Sequence, residues 1–252
     1  LPRYLRKSKH CKGKSKGGKV ESQCSASFST DPNFKTTLFT GGSDGKVYQW
    51  TGDSITNSYD NNKGSVHSVA SRNDASVGHE VVLVGGNDKT LTVYKFDGKL
   101  SKMWSIAVDA APRSVDLFNG VILMGLKNGS VVEQAWSADG SKKGNVVMTS
   151  HCDGEVWGLS VVELEGGQMR LITSADDNRV LTFDPKKHKA LAEGVVAKPS
   201  EKKKKKAKGG FKGGASSMSS MPPEQQSRCV AYNAALNHLA VSDNKGIVTI
   251  RE

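Results

Sequence analysis

Long apolar runs are missing from this chain of 252 residues. No segment approaches the roughly 20 consecutive apolar residues of a membrane-spanning helix, so the sequence predicts no membrane partner. The first 20 residues are basic and lack the apolar segment of a secretory signal. They also lack an initiating Met, and we therefore expect the chain to be a piece of a longer protein.

Cysteine pairs are missing as well. The spacing of the four cysteines fits neither a zinc site nor a disulfide framework; they are Cys11, Cys24, Cys152 and Cys229. Unpaired cysteines favour a reducing, intracellular compartment. The six histidines show no metal-ligand spacing either, so we expect no bound metal.

Motifs of catalysis are a third absence, because neither a nucleophile elbow nor a zinc-protease motif occurs. Residues 13–19, GKSKGGK, have the glycine and lysine spacing of a phosphate-binding loop, but Val20 stands where a hydroxyl should hold magnesium. Asp176 and Asp177 are adjacent acids, yet Asp in a hairpin turn usually bonds neighbouring backbone. The sequence therefore predicts neither an enzyme nor a cofactor.

Five internal repeats are what the chain does contain. Each has an apolar run, a turn rich in Asp, Asn or Gly, and an alternating run. The copies are LFTGGSDGKVYQW (38–50), VLVGGNDKTLTVY (82–94), ILMGLKNGSVVEQ (122–134), LITSADDNRVLTF (171–183) and LAVSDNKGIVTIR (239–251). Each predicts a β-hairpin, because the turn residues tolerate positive φ and alternation suits a strand with one covered face.

Further strands are predicted around these hairpins. Short apolar runs precede four of them, at 65–70, 112–117, 155–162 and 228–232, and a fourth strand fits after each hairpin. The copies start 44, 40, 49 and 68 residues apart, and no stretch shows convincing helical periodicity. This pattern predicts an all-β fold, a β-propeller with about five recognisable blades.

The copies resemble WD repeats. In that family a His before the blade, a Ser or Thr on the second strand, a turn Asp and a third-strand Trp form a hydrogen-bonded structural network. For the fourth copy the resemblance implies these roles for His151, Thr173, Asp177 and, in place of Trp, Phe183. For the first two copies it implies them for Thr40, Asp44, Trp50 and Asp88.

Longer phrases narrow the resemblance. HCDGEVWGLS (151–160), LITSADDNRVLTFD (171–184) and SRCVAYNAALNHLAVSDNKG (227–246) are similar to the echinoderm microtubule-associated-protein-like family. The similarity runs from about Val20 to Glu252, apart from one lysine-rich insert. Because the full unit of that family is two tandem propellers, the resemblance implies that this chain is a fragment of a larger or tandem WD-repeat β-propeller.

The net positive charge comes from two segments, a basic leader (1–19) and an insert at about 197–227 within the propeller region (20–252). Residues 1–20 hold eight Lys or Arg and no acid, and residues 198–212 hold eight Lys and one Glu. The rest of the chain carries −4, the difference between +11 overall and +15 in these segments. Charge this local predicts an anionic partner. The candidate partner-binding residues are Arg3, Arg6, Lys7, Lys9, Lys12, Lys14, Lys16, Lys19, Lys202, Lys203, Lys204, Lys205, Lys206, Lys208 and Lys212.

The resemblance and the charge lead to a first functional hypothesis. The resemblance implies a non-enzymatic scaffold that binds microtubules or tubulin through the propeller surface, with other cytoskeletal or ciliary proteins as further partners. The acidic surface of tubulin fits the basic segments. The expected location is the cytoplasm and cytoskeleton, with the ciliary axoneme as a special case.

The alternative hypothesis is a WD-repeat adaptor or an RNA-associated factor, in which the lysines meet phosphates. RNA is less favoured, because Phe211 is the one aromatic residue of the insert and single-strand binding uses several stacking rings. A third interpretation is a protein-interaction propeller whose basic tracts are solvated linkers.

Overall fold

The computed structural model describes residues 22–61, 63–149, 151, 154–164, 168–184, 189–195, 226–233, 236–244 and 248–251. Within them a short 3₁₀ turn, Pro32–Phe34, is the one helical element. No helix of this part of the chain has the length and apolar character needed to cross a bilayer. The leader and most of the insert lie outside the described residues.

In the described part of the chain nineteen strands form five sheets, each of which is one blade. Blade 1 holds β1 (Gln23–Phe28), β2 (Thr37–Gly42), β3 (Lys46–Thr51) and β4 (Ser54–Asp60). Blade 2 holds β5 (Val66–Asp74), β6 (His79–Gly86), β7 (Thr90–Phe96) and β8 (Leu100–Ala107). Blade 3 holds β9 (Pro112–Phe118), β10 (Val121–Leu126), β11 (Ser130–Ala135) and β12 (Asn145–Thr149). Blade 4 holds β13 (Val156–Leu164), β14 (Gln168–Ala175), β15 (Arg179–Asp184) and β16 (Lys189–Val195), and blade 5 holds β17 (Ser227–Asn233), β18 (His238–Asp243) and β19 (Val248–Arg251).

Neighbouring strands pair antiparallel in chain order, so the predicted all-β propeller fold is confirmed. The five predicted hairpins are the second and third strands of the blades. The first of the inner strands, β1, precedes the first hairpin, where the sequence analysis had identified no strand. The predicted outer strand before the insert corresponds to β16.

A positive φ at one fixed position shapes the turn between the second and third strands. Gly45, Lys89, Gly129 and Asn178 have φ values of 86°, 63°, 81° and 63°. The backbone N–H of each donates to the carbonyl three residues earlier, at distances of 3.1 to 3.3 Å. Glycine and asparagine adopt this conformation readily, and Lys89 does so at a cost.

The core lies between blades, where the faces of adjacent sheets meet. Phe39, Val47 and Val66 of blades 1 and 2 share one cluster with Tyr94 and Phe96. Leu123 and Val131 of blade 3 pack with Leu171 and Phe183 of blade 4 in another. Each sheet is therefore covered by its neighbours, and no blade has a core of its own.

The inner strands contact one another in series, β1 with β5, β5 with β9, β9 with β13 and β13 with β17. No comparable contact joins β17 to β1 among the described strands. The two terminal blades consequently expose large apolar side chains, namely Phe28 on β1 and Val248 and Ile250 on β19.

Candidate functional site at the propeller mouth

One end of the propeller gathers three kinds of chain segment. Because neighbouring strands are antiparallel, each inner strand starts at the end where the turn between the second and third strands lies. The connection from the fourth strand to the next blade lies there too. We call this end the upper face, and the space around the starts of the inner strands the mouth.

Each inner strand has an irregularity in its register at the mouth, where one residue is skipped in the pairing with the second strand. A bulge of this kind bends the strand and redirects the skipped side chain. The skipped residues are Cys24, His67, Arg113, Trp157 and Arg228. The fold thus repeats one side-chain position five times around the mouth, and the sequence fills it differently in each blade.

Trp157 of blade 4 lies between two guanidinium groups. The Cζ atom of Arg113 is 5.0 Å from the centre of the indole ring, and that of Arg228 is 4.8 Å from it. The imidazole of His67 meets the same indole edge-on at 5.9 Å. Cations over an indole face are attracted by the ring quadrupole. The indole of Trp157 therefore helps to stabilise two positively charged guanidinium groups in one cluster.

Two carboxylates compensate these cations. Asp176 Oδ1 accepts hydrogen bonds from Trp157 Nε1 at 3.0 Å and Arg228 Nη1 at 2.7 Å. Glu155 forms an ion pair with Arg113, whose side chain is only 5% exposed. Lys127 Nζ is 3.7 Å from Glu155 Oε1, and its side chain is 55% exposed. The cluster therefore carries one net positive charge, and Lys127 is its most accessible cation.

The pKa of His67 is lowered from 6.5, first by burial and then by the charge of Arg113. Lys127 lowers it further, whereas Glu155 raises it. Protonation of His67 would add another cation beside Arg113 and Trp157. The imidazole is consequently held in its neutral form at the mouth.

Three of the residues that the WD resemblance assigns to the fourth copy meet on the upper face. His151 Nδ1 lies 3.0 Å from both carboxylate oxygens of Asp177, and His151 Nε2 lies 3.0 Å from Thr173 Oγ1. A carboxylate only accepts, so Nδ1 donates to Asp177, and in the neutral imidazole Nε2 then accepts the Thr173 hydroxyl. Phe183 has no polar group to join them and is buried in the core between blades 3 and 4.

The assigned residues of the first two copies make smaller contacts. Trp50 Nε1 donates to Thr40 Oγ1 at 2.8 Å. Asp44 accepts from Lys46 N at 3.2 Å within its own turn. Asp88 accepts from the Thr90 hydroxyl at 2.7 Å and from the backbone N–H of Lys63, in the connection between blades 1 and 2, at 3.2 Å. These contacts fix turns and the junction between blades.

The basic residues assigned to partner binding, in the leader and in the insert, lie outside the described residues. Their role stays a prediction. No group of three or more His, Cys, Asp or Glu that could hold a metal ion occurs within the described part of the chain.

The mouth cluster was not identified from the sequence, although a signal for it exists. Aligning the starts of the inner strands gives QCSA, VHSV, PRSV, VWGL and SRCV. The second residue varies widely, whereas the third is always small. A small residue is needed there because the second strand passes closely: a β-carbon on Gly85 would stand 2.2 Å from Ser68 Oγ. In blade 4 the two residue types are exchanged: the inner strand carries the glycine, Gly158, and the second strand carries its partner Ser174.

Comparison with known proteins agrees with this architecture. No family model matches the chain. Over 216 residues it is 35% identical to the ciliary WD repeat-containing protein ctxp80 of Euplotoides octocarinatus, a match that covers 84% of this chain. The chain spans only 27% of the length of that curated relative.

A solved structure, that of U3-55K, superimposes on 90% of this chain and 62% of that one with a TM-score of 0.62. Its sequence identity is 13%, so the likeness concerns the fold alone.

Proposed function

Because the chain is a WD-repeat β-propeller protein, we propose that it is a non-enzymatic scaffold that binds microtubules in the cilium. The name of the ciliary relative supports the location. The phrases shared with the echinoderm microtubule-associated-protein-like family support membership of that family and tubulin as the partner. On this proposal the upper face and the basic segments together contact the acidic microtubule surface.

The observation that carries the proposal is where the chain leaves and re-enters the fold around the insert. β16 ends at Val195 and β17 begins at Ser227, and both of these ends lie on the upper face. The segment between these two ends includes residues 198–212, with eight Lys and one Glu, so its two points of attachment share the face that carries Arg228. This supports a proposal in which the segment and the upper face act on the same partner.

The energetics require many contacts rather than a few strong ones. An exposed ion pair contributes roughly 0.2 to 1 kcal/mol and weakens with salt. Five consecutive lysines, Lys202 to Lys206, would together change affinity by about tenfold or more. The rest of the binding energy would come from the upper face, where Lys127 and Arg228 lie at the rim of the mouth.

Co-sedimentation with microtubules at low and physiological salt tests the proposal. Two variants of the 252-residue chain are compared with the original, one with Lys202 to Lys206 replaced by Ser and one with the same residues replaced by Arg. The Ser variant is expected to bind about tenfold more weakly at low salt. The Arg variant keeps the charge and is expected to bind like the original chain.

Three outcomes would count against parts of the proposal. If the original chain does not co-sediment with microtubules at low salt, the proposal of microtubule binding is excluded. Equal binding by the Ser variant removes the lysine tract from the mechanism and leaves the propeller surface. Tight binding to an unstructured RNA, with no binding to microtubules, favours the RNA-associated alternative.

A further inference from the structure

A groove between blades 2 and 3 encloses about 290 Å³. One wall is the upper end of β8 with the residues that follow it, from Ile106 to Asp109, and the other is the loop from Gly140 to Gly144. Apolar side chains line the space between them, namely Ile106, Met124, Leu126, Val132 and Val146. Such a space inside an otherwise close-packed junction of blades needs a cause.

The residue that distinguishes blade 3 at this groove is Gln134 on β11, which is part of its lining. In the strand pairing Gln134 lies opposite Ile122, as Trp50 lies opposite Leu38 in blade 1. The same position holds Tyr94 in blade 2 and Phe183 in blade 4. Three blades therefore place an aromatic ring here. In blade 3 the ring is absent, and the groove occupies the space on that side of the sheet.

Gln134 is also unsatisfied. It is only 1% exposed, and its Nε2 has no hydrogen-bond partner among the described residues. Its Oε1 lies 3.5 Å from where a β-carbon on Gly144 would stand, so the amide borders the groove. A buried amide without a partner is costly, and an acceptor entering the groove would remove that cost.

The charges at the rim indicate which molecule fits. Lys142 and Lys143 are exposed on the loop. The carboxylates near them are Asp109, which lines the other wall, and Asp139, which accepts a hydrogen bond from Ser141 N within the loop. An aromatic ring with acids beside it matches the apolar space and the two exposed lysines.

We propose that this groove is a docking site for a partner peptide that inserts one aromatic side chain between acidic neighbours. The inserted ring takes the place of the ring that blade 3 lacks. A carbonyl or hydroxyl of the peptide accepts from the Gln134 amide, and its carboxylates pair with Lys142 and Lys143. The site lies at the junction of two blades, away from the mouth, and does not depend on microtubule binding.

The test uses fluorescence anisotropy with labelled Glu-Glu-Phe-Glu-Glu as the probe and the 252-residue chain. We expect saturable binding that weakens about tenfold or more when the Phe of the probe is replaced by Ala. The variant Gln134→Phe places the protein's own ring in the groove, where the inserted ring of the probe is expected to pack. It is expected to lose probe binding while its melting temperature stays equal or rises, because the other blades already accommodate a ring there.

Charge variants complete the design. Lys142→Glu combined with Lys143→Glu is expected to weaken probe binding, whereas Lys102→Glu, an exposed lysine of β8 outside the groove, leaves it unchanged. The proposal is overturned if the original chain does not bind the probe. It is equally overturned if a folded Gln134→Phe variant binds the probe as tightly as the original chain. If the chain binds the probe but does not bind microtubules, the proposed function is contradicted and the docking site is not.

Discussion

Ser29 Oγ, at the end of the inner strand of blade 1, donates a 2.7 Å hydrogen bond to Glu80 Oε2 on β6 of blade 2. The same carboxylate accepts from Ser71 Oγ at 2.6 Å and from Thr30 N at 2.7 Å, and Glu80 is only 2% exposed. A buried carboxylate is tolerated only when several donors surround it. Glu80 is thus a hydrogen-bonded joint between two blades.

We expect Glu80→Ala to lower the free energy of unfolding by about 2 to 4 kcal/mol, because it leaves buried donors of both blades without an acceptor. Glu80→Gln keeps one acceptor oxygen and is expected to cost less. Urea unfolding followed by tryptophan fluorescence measures both. Asp53→Ala, at an exposed turn, is the control and is expected to change little. Equal stability of Glu80→Ala and the control would contradict the role of this joint.

The His151 network leads to a second prediction. His151→Ala removes the shared partner of Thr173 and Asp177 and is expected to cost about 2 to 3 kcal/mol of unfolding free energy. His238, which is half-buried, serves as the matched control. The variant His238→Ala is expected to lower the free energy of unfolding by less than about 1 kcal/mol. Hydrogen exchange should show the loss of protection concentrated in blade 4. Uniform loss over all blades would argue against a local network.

The mouth predicts a pH dependence of stability. Since the folded protein lowers the pKa of His67 from 6.5, the unfolded chain takes up the proton first as the pH falls. Stability from this group is fully present above pH 6.5 and decreases as the pH falls below it towards the folded pKa. We expect His67→Gln to show a flatter profile of melting temperature between about pH 7 and 5 than the original chain. Identical profiles would exclude this contribution of His67.

The turn of blade 2 offers a stabilising change. Lys89 has a φ of 63°, which costs a side chain more than it costs glycine. Lys89→Gly is therefore expected to raise the free energy of unfolding by about 0.5 to 1 kcal/mol. The opposite change at the equivalent position, Gly129→Ala, is expected to destabilise, because its β-carbon would also lie 3.0 Å from the carbonyl oxygen of His151. A decrease in stability of Lys89→Gly would refute the strain at this turn.

The hairpins were predictable because their signals are local. Alternation of side chains and the turn residues Gly45 and Gly129 act within about ten residues, so each copy could be recognised alone. Inner strand β1 was missed because QCSASF has no apolar run like those that precede the other hairpins. Its pairing with β2 makes it a strand, and pairing is a property of the fold.

The mouth shows the limit of prediction from one sequence. Nothing in VWGL indicates that guanidinium groups flank the ring of Trp157. Arg113 and Arg228 are separated from it by 44 and 71 positions, and only the stacking of adjacent blades brings the three together. Gln134 is a second example. The sequence around it gives no sign of a special role, which becomes visible only when the aromatic residues at the same position of the other blades are compared with it.

By itself, the sequence determined the strands of the hairpins, their grouping into five repeats and the concentration of net positive charge in two segments. These follow from periodicity, turn chemistry and composition, which neighbouring residues set. The tertiary structure alone decided which side chains of different blades meet, as Glu80 meets Ser29 and Trp157 meets Arg228. It also decided where a missing ring leaves a groove, because packing depends on contacts between residues that the chain order keeps far apart.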